Sequence, residues 1–215
     1  MHGITGDTNR NPLGFVVLIL LTFIGGAFAQ PANLPPLPGY HQHDGFYMSL
    51  NFGANLYGVM EDPTVQVPYD TINISGRGLR MDFKVGGVVS ENTIISADII
   101  FGSIENPKIT INGKNNSTAD VFGSDFLVGP GVTHYFESNM FISGTVGVGS
   151  FDIYDKSPDT VLTTGKTGPG FQFKVGKEWW VGKNWALGAS LSYLATNVRS
   201  YKTRSIGVLF NTTFN

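Results

Sequence analysis

The sequence predicts an all-β protein, an eight-stranded antiparallel up-and-down barrel of the transmembrane kind. Three observations predict it. From Gly45 onward apolar and polar residues alternate with a period of two. Short and long connections separate the alternating segments in turn, and all three tryptophans of the 215 residues flank one short turn. The charged fraction of 14% agrees, because an ordinary soluble domain has roughly 25%.

The bulk composition excludes several classes of function. A net charge of −2, without any basic run, gives no electrostatic footprint for nucleic acid. Cysteine is absent, which rules out a disulfide framework, thiol catalysis and a lipoprotein anchor. We expect no cofactor.

The N-terminus indicates export. Arg10 precedes an apolar run over residues 13–24, and Ala27-Phe28-Ala29 fits the small-x-small cleavage rule, so residues 1–29 are predicted to be a signal peptide cut before Gln30. The alternative, an uncleaved anchor helix, would need a longer run. Residues 30–44 are proline-rich and predict an extended periplasmic lead-in, which leaves 45–215 as the barrel domain. His41, His43 and Asp44 in the lead-in lack the further ligands of a metal site.

The barrel domain divides into eight alternating segments, each about the length that a tilted strand needs to cross a bilayer. They are residues 46–57, 78–89, 93–104, 121–136, 140–154, 170–181, 185–197 and 203–214. Long polar connections are expected at 58–77, 105–120 and 155–169, and three-residue turns at 90–92, 137–139 and 182–184. Short turns at one end and long loops at the other are typical of a membrane barrel.

The register across the short turns supports these boundaries. The residues that flank each turn pair and must point the same way. All three pairs fall on the apolar face: Val89 with Thr93, Phe136 with Met140, and Val181 with Trp185. The fifth segment is less regular, since Gly144, Gly147 and Gly149 blur its faces and Asp152 lies on the apolar side. A bulge or slip is predicted there.

The composition of the two faces indicates which one points outward. The polar face carries glycine, serine, asparagine and opposite charges, which suits a narrow filled interior, so the apolar face is expected to meet lipid. A soluble lipocalin-like barrel, with the apolar face inside, is the alternative. Trp179 and Trp185 are on the outward parity beside the Gly-Lys-Asn turn, and tryptophan favours a membrane interface because its ring is apolar and its N–H is polar. These two rings therefore predict a girdle at the periplasmic membrane surface.

Four features occur together: the signal peptide, eight alternating segments, Glu178-Trp179-Trp180-Val181 before the turn, and Phe214 near the end. In them the chain resembles the outer membrane protein beta-barrel domain family, which includes the porin-like OmpA and OmpX barrels. The resemblance implies a location in the outer membrane of a Gram-negative cell. It also implies that Phe210 and Phe214 belong to a C-terminal signal for the barrel-assembly machinery, from which this chain departs by adding Asn215.

Seven charged side chains are predicted to point into the lumen: Arg80, Asp82, Lys84, Asp98, Asp125, Lys174 and Glu178. If Val89 pairs with Thr93, Lys84 lies opposite Asp98, and an internal salt bridge follows because isolated charges inside a barrel are costly. Two interpretations stay open. The network is a plug that fills an interior just wide enough for side chains, or it is a gated ion path.

No residue pattern predicts an enzyme. His134 is the one histidine within a segment, falls on the outward parity and has no serine motif beside it, unlike the serine–histidine pair of lipid A-modifying barrels. Among the outward charges, Arg204 is predicted near the outer rim with Lys202 and Arg199, where lipopolysaccharide phosphates or water would solvate it. Lys177 is predicted outward near the tryptophans, and its long side chain must extend to the membrane–water interface.

The expected function is therefore structural and surface-interactive. We expect a monomeric integral outer-membrane barrel that presents its long loops at the cell surface. Its predicted partners are outer-membrane lipid, lipopolysaccharide, the barrel-assembly machinery and a host or surface ligand of the loops. The alternative is a small-solute or ion channel gated by the lumen charges.

Overall fold

The computed structural model describes residues 45–62, 72–111, 114–117, 121–155, 160–163, 167–198 and 201–215. These residues form ten strands: β1 (Phe46–Asp62), β2 (Ile72–Ser90), β3 (Thr93–Ile111), β4 (Lys114–Ser117), β5 (Val121–Tyr135), β6 (Met140–Asp155), β7 (Thr160–Thr163), β8 (Thr167–Trp180), β9 (Trp185–Val198) and β10 (Tyr201–Phe214).

Eight long antiparallel strands close into a ring. The order is β2-β1-β10-β9-β8-β6-β5-β3, and β3 pairs with β2 to complete the circle. The two short strands lie outside the ring, β4 on β3 and β7 on β6. The predicted fold is confirmed, and closure leaves no free edge in the ring because the first and last long strands pair over most of their length.

The strands extend beyond the predicted segments at the end away from the short turns. β2 begins at Ile72 rather than at residue 78, and β3 ends at Ile111 rather than at residue 104. The connections 58–77, 105–120 and 155–169 therefore hold strand ends and the short strands β4 and β7, so their prediction as loops throughout was wrong. The added parts of both strands carry isoleucines at alternating positions, among them the buried Ile74 and Ile109, which packs against the buried cluster around Ile74, so the predicted segments ended too early.

The second and third short turns have the predicted register, whereas the Val89–Thr93 pair predicted at the first turn was wrong. The amide of Phe136 donates to the carbonyl oxygen of Met140 at 2.8 Å, and that of Val181 to the carbonyl oxygen of Trp185 at 2.9 Å. Asn92 and Asn139 adopt positive φ angles of 56° and 58°, which asparagine tolerates in tight turns. At the first turn Ser90 takes the partner position opposite Thr93 through a small bulge after Val88, and the ladder below it keeps the predicted pairing.

The predicted bulge in the fifth long strand, β6, does not occur within the ring, because its pairing with β5 and with β8 proceeds without a register shift. The glycines fit a regular ladder here, since a Cβ on Gly147 would overlap the backbone oxygen of Val128. A shift does occur between Ile153 and Tyr154, where the far end of β6 pairs with the short strand β7. Within the ring, register shifts lie in β1, between Asn55 and Tyr57, and in β2, between Ser75 and Arg77 and between Val88 and Ser90.

The apolar face of the barrel is on the outside. Exposed fractions reach 62% for Val146, 60% for Val181 and 58% for Leu79. Residues of the other parity are buried in the interior, including Ser49, Asn51 and Ser192 at 1% or less. The soluble arrangement, with apolar residues inside and polar residues outside, is reversed over most of the wall.

The predicted signal peptide and the 30–44 lead-in lie outside the described residues. Within the part of the chain that is described, no helix has the length and hydrophobicity to span a membrane.

Candidate functional site

All seven charged residues predicted for the lumen lie inside the barrel. Their side chains come from β2, β3, β5 and β8, and their residues are between 0% and 2% exposed: Arg80, Asp82, Lys84, Asp98, Asp125, Lys174 and Glu178. Alternation places them there, because each one shares its parity with buried neighbours on the same strand. Charges this deeply buried require partners.

The predicted salt bridge between Lys84 and Asp98 is present. The two residues are direct cross-strand partners on β2 and β3, and Lys84 Nζ lies 2.6 Å from Asp98 Oδ2. Lys84 also donates to Ser143 Oγ at 3.0 Å, while Asp98 accepts from Ser96 Oγ at 2.6 Å and from the hydroxyl of Thr145. Both charges therefore have partners on several sides, as a buried ion pair needs.

A glycine makes room for this pair. Gly131 on β5 lies inside the barrel beside β3, and a Cβ built on it would come within 2.7 Å of Asp98 Cγ and closer still to Oδ2. Any larger residue would push the carboxylate away from Lys84.

A second ion pair crosses the lumen. Lys174 Nζ on β8 lies 3.4 Å from Asp82 Oδ2 on β2, and Gln172 Nε2 donates to the same oxygen at 3.1 Å. Gln172 Nε2 is also 3.1 Å from Ser192 Oγ. Because β2 and β8 are not neighbours in the ring, these contacts tie separate walls of the barrel together.

Glu178 is held by hydroxyl groups near the short-turn end. Tyr135 donates to Glu178 Oε2 at 3.0 Å and Thr213 to Oε1 at 2.8 Å. The hydroxyl groups of Tyr135 and Tyr47 are 3.4 Å apart. This carboxylate thus sits among neutral donors rather than beside a cation within 4.0 Å in the described part of the chain.

Arg80 and Asp125 are paired less completely. Arg80 donates through Nη2 to Asn55 Oδ1 at 3.3 Å and to the hydroxyl of Ser205. Its Nε and Nη1, like Asp125 Oδ1, have no hydrogen-bond partner among the described residues. The two side chains flank Gly102, where a Cβ would lie 3.2 Å from Arg80 Nε and 3.4 Å from Asp125 Cβ.

The sequence analysis missed three apolar clusters of buried residues. They are a turn-end cluster (Tyr47, Ile94, Tyr135, Phe141), a middle cluster (Ile100, Leu127, Leu194) and a far-end cluster (Ile74, Val121, Phe151, Ile153). Their signal was present in the alternation, because Ile100 follows Asp98 by two positions and Leu127 follows Asp125 by two, so both share the inward parity of the charges. The interior is not uniformly polar.

Along single strands the apolar and charged positions form layers. On β3 the inward residues run from Ile94 through Asp98 to Ile100, which passes from the turn-end cluster to the charged level and then to the middle cluster. On β5, going away from the short turns, Leu127 belongs to the middle cluster, Asp125 is the next charge, and Val121 belongs to the far-end cluster. The Lys84–Asp98 pair therefore lies between two apolar clusters.

The predicted girdle and terminal residues lie on the outer face. Trp179 is 55% exposed and Trp185 44%. The ring of Trp185 packs edge-on against Phe214 at 5.1 Å, and Phe210 contacts Phe52 across the closing seam at 5.4 Å. Their roles as interface anchors and assembly signal stay predictions.

His134 is on the outward parity and partly exposed, as predicted. Its Nδ1 lies 2.9 Å from Thr93 Oγ1, and its ring packs edge-on against Phe136 at 5.1 Å. Across the residues that the structure describes, no group of three or more potential ligands could hold a metal ion. The outward cations Lys177, Lys202 and Arg204 are exposed, and Arg199 lies outside the described residues.

Comparisons with known proteins identify the fold. No protein-family model matches the chain, and no curated protein is significantly similar to it in sequence. Among solved structures, Neisserial surface protein A (NspA) matches with a TM-score of 0.52 and 14% identity over 79% of this chain and 96% of that one. OprG from Pseudomonas aeruginosa matches with a TM-score of 0.48 and 10% identity, over 80% and 98% of the two chains. With its closed ring of eight long antiparallel strands and its apolar exterior, the chain has the fold of the small bacterial outer-membrane β-barrels.

Proposed function

We propose that the protein is an integral outer-membrane barrel with a sealed lumen, which anchors and displays its extended hairpins at the cell surface. The observation that carries this proposal is the inaccessible interior. Charged lumen residues are at most 2% exposed, and Ile100, Leu127 and Leu194 in the middle cluster are 0% exposed. A water-filled pore would leave such side chains in contact with solvent.

The exposed apolar wall supports placement in a membrane. Aromatic and aliphatic side chains such as Phe52 (51%), Phe173 (50%) and Leu191 (50%) cover the outside, far beyond the apolar patches that soluble proteins tolerate. A lipocalin-like soluble barrel would bury this face instead. Export by a cleaved signal over residues 1–29, and assembly through the strand that ends in Phe210 and Phe214, complete the proposal for a monomer in the outer membrane.

The hairpins beyond the apolar wall are the candidate interaction surfaces. β1, β2 and β3 continue past the predicted boundaries, and β4 and β7 add short strands at the same end. A rigid scaffold that carries variable segments is a common arrangement for binding. We propose that a host or surface ligand binds there, and that the protein has no enzymatic activity, since His134 contacts a threonine and a phenylalanine on the outer wall.

Bilayer conductance tests the sealed lumen. The mature chain, refolded in detergent and checked for the folded state by its resistance to heat on an electrophoretic gel, is placed in a planar bilayer beside a Lys84→Ala variant. We expect both to be silent, because the apolar clusters close the lumen on each side of Lys84. Discrete openings in the unmodified protein would reject the sealed barrel, and a change in those openings with Lys84→Ala would make the charge network their gate.

One observation favours the second candidate, a gated ion path. Arg80 Nε, Arg80 Nη1 and Asp125 Oδ1 are buried without hydrogen-bond partners among the described residues, and such groups are stabilised when water reaches them. Hydration would start at this level. Openings that are altered by Arg80→Met but unaffected by Lys183→Gln, an exposed change in the last short turn, would establish this path.

A further inference from the structure

A set of basic side chains lies on one side of the outer wall, where the apolar surface ends. Arg77 on β2 is exposed two positions beyond Leu79, and Arg204 on β10 is exposed two positions beyond Ile206. Lys202 continues on the same face of β10. Each strand thus changes from an apolar to a cationic outward residue at the end opposite the short turns.

The register brings these side chains within reach of one another. β10 and β2 both pair with β1, and Arg204 is aligned through Val59 with Ser75, two residues from Arg77. Two strand spacings of about 4.8 Å and two residue rises of about 3.3 Å separate the Cα atoms of the two arginines by about 12 Å. Two long arginine side chains from this distance can converge on one anion.

The cations are available to a ligand. Among the residues whose side chains are described, no carboxylate oxygen lies within 4.0 Å of Arg77 or Arg204, although Glu105 is the cross-strand partner of Arg77. Lys202 pairs in register with Glu61 on β1, so the two arginines are the principal cations of this surface. Asn197, exposed and opposite Lys202, adds an amide to the same surface.

The opposite wall has a different charge. At the corresponding ends of β5 and β6, Ser124 pairs with Asp152, and both are partly exposed on the outward parity. Among the described residues, exposed cations at this end lie on β10, β2, β3 and β4, where Lys108 and Lys114 join Arg77, Lys202 and Arg204, and none lies at the corresponding ends of β5 and β6. The positive charge is therefore confined to one side of the ring.

We propose that Arg77, Arg204 and Lys202 form a seat for the phosphate group of a glycolipid in the outer leaflet. Guanidinium groups bind phosphate through paired, charge-assisted hydrogen bonds. The apolar residues directly below them, Leu79 and Ile206, would contact the acyl chains of the same lipid. This inference rests on the proposed membrane location and adds a named ligand class and site to it.

The test measures lipid binding in a neutral background. The refolded mature chain in phosphatidylcholine nanodiscs is titrated with diphosphorylated lipid A, with dephosphorylated lipid A and with inorganic phosphate. The variant is Arg77→Gln with Arg204→Gln, and the matched control is Lys177→Gln with Lys183→Gln, which removes two exposed cations near the short turns.

We expect the unmodified chain to prefer the diphosphorylated lipid, the arginine variant to lose roughly tenfold in affinity, and the control to retain it. Equal affinity of the arginine variant and the unmodified chain for diphosphorylated lipid A would show that the two arginines do not bind its phosphate. Equal responses to inorganic phosphate and to the lipid would overturn the glycolipid assignment in favour of a free-anion site. The conductance measurement is independent of lipid binding. A protein that is silent in the bilayer but does not bind lipid A would therefore disprove this inference and leave the proposed function standing.

Discussion

Two groups inside the barrel are equally buried but differently partnered. Asp98 and Arg80, on the neighbouring strands β3 and β2, are both 0% exposed. Asp98 receives hydrogen bonds from Lys84, Ser96 and Thr145, whereas Arg80 leaves Nε and Nη1 without partners among the described residues. Burial alone therefore does not show which part of the lumen is fixed.

Their places in the layered interior explain the difference. Asp98 lies between the turn-end cluster and the middle cluster, where water is excluded on both sides. Arg80 pairs in register with Gly102, which is one inward position beyond Ile100 of the middle cluster. The ion pair that the apolar clusters enclose is satisfied by protein groups, whereas Arg80 and Asp125 beyond the middle cluster are satisfied only in part. Asp82, opposite Ile100 at the level of that cluster, also has one oxygen without a partner among the described residues.

The largest expected effect comes from removing the carboxylate of Asp98. Asp98→Ala leaves Lys84 buried without its counter-charge, and breaking a buried pair in this way costs about 3–5 kcal/mol. Urea titration of the refolded protein in micelles measures the free energy of unfolding. Glu91→Ala, at an exposed turn position, serves as the control and should change it little. A loss for Asp98→Ala no larger than that of the control would show that the enclosed pair does not hold the lumen together.

A smaller effect is expected from crowding the same pair. Gly131→Ala places a methyl group against Asp98, and overpacking of a filled interior costs about 1–3 kcal/mol. Gly144→Ala is the matched control, because a Cβ there meets nothing within 4 Å and points outward. The same titration compares the two. Equal stability of both variants would mean that the lumen is looser around Asp98 than its contacts indicate.

The fold was predictable from the sequence because period-two alternation and turn parity are local signals. Val181 and Trp185 had to point the same way, and this determined the register of the β8–β9 hairpin without any tertiary information. The register of Lys84 against Asp98 was predicted from the length of the first turn, and it holds although the Val89–Thr93 pair at the turn itself does not form.

Other contacts inside the barrel join strands that are not neighbours in the ring, and a local sequence pattern gives no information about such contacts. Lys174 and Asp82 come from strands that are not neighbours, so their pairing could not be obtained from hairpin register. The middle cluster was missed for a related reason. Ile100 and Leu194 come from β3 and β9, which are not neighbours either, and their contact depends on closure of the barrel.

The smallest expected effect best distinguishes the enclosed Lys84–Asp98 pair from the charges beyond the middle cluster. The double variant Arg80→Met with Asp125→Asn removes two incompletely paired charges beyond the middle cluster. Its cost should stay within about 1 kcal/mol, because replacing poorly satisfied buried charges with neutral side chains of similar size is often nearly neutral. Urea titration in the same micelles measures that cost.

Neutralisation of the enclosed pair in the same way, by Lys84→Met with Asp98→Asn, provides the comparison. These changes should cost clearly more, since they also weaken the hydrogen bonds of the surrounding hydroxyl groups of Ser96, Ser143 and Thr145. The opposite order, with the Arg80 double variant the more costly, would mean that internal water satisfies the unpartnered atoms of Arg80 and Asp125. The sealed region of the lumen would then end at the middle cluster, because only the side of the interior facing the short turns would be dry.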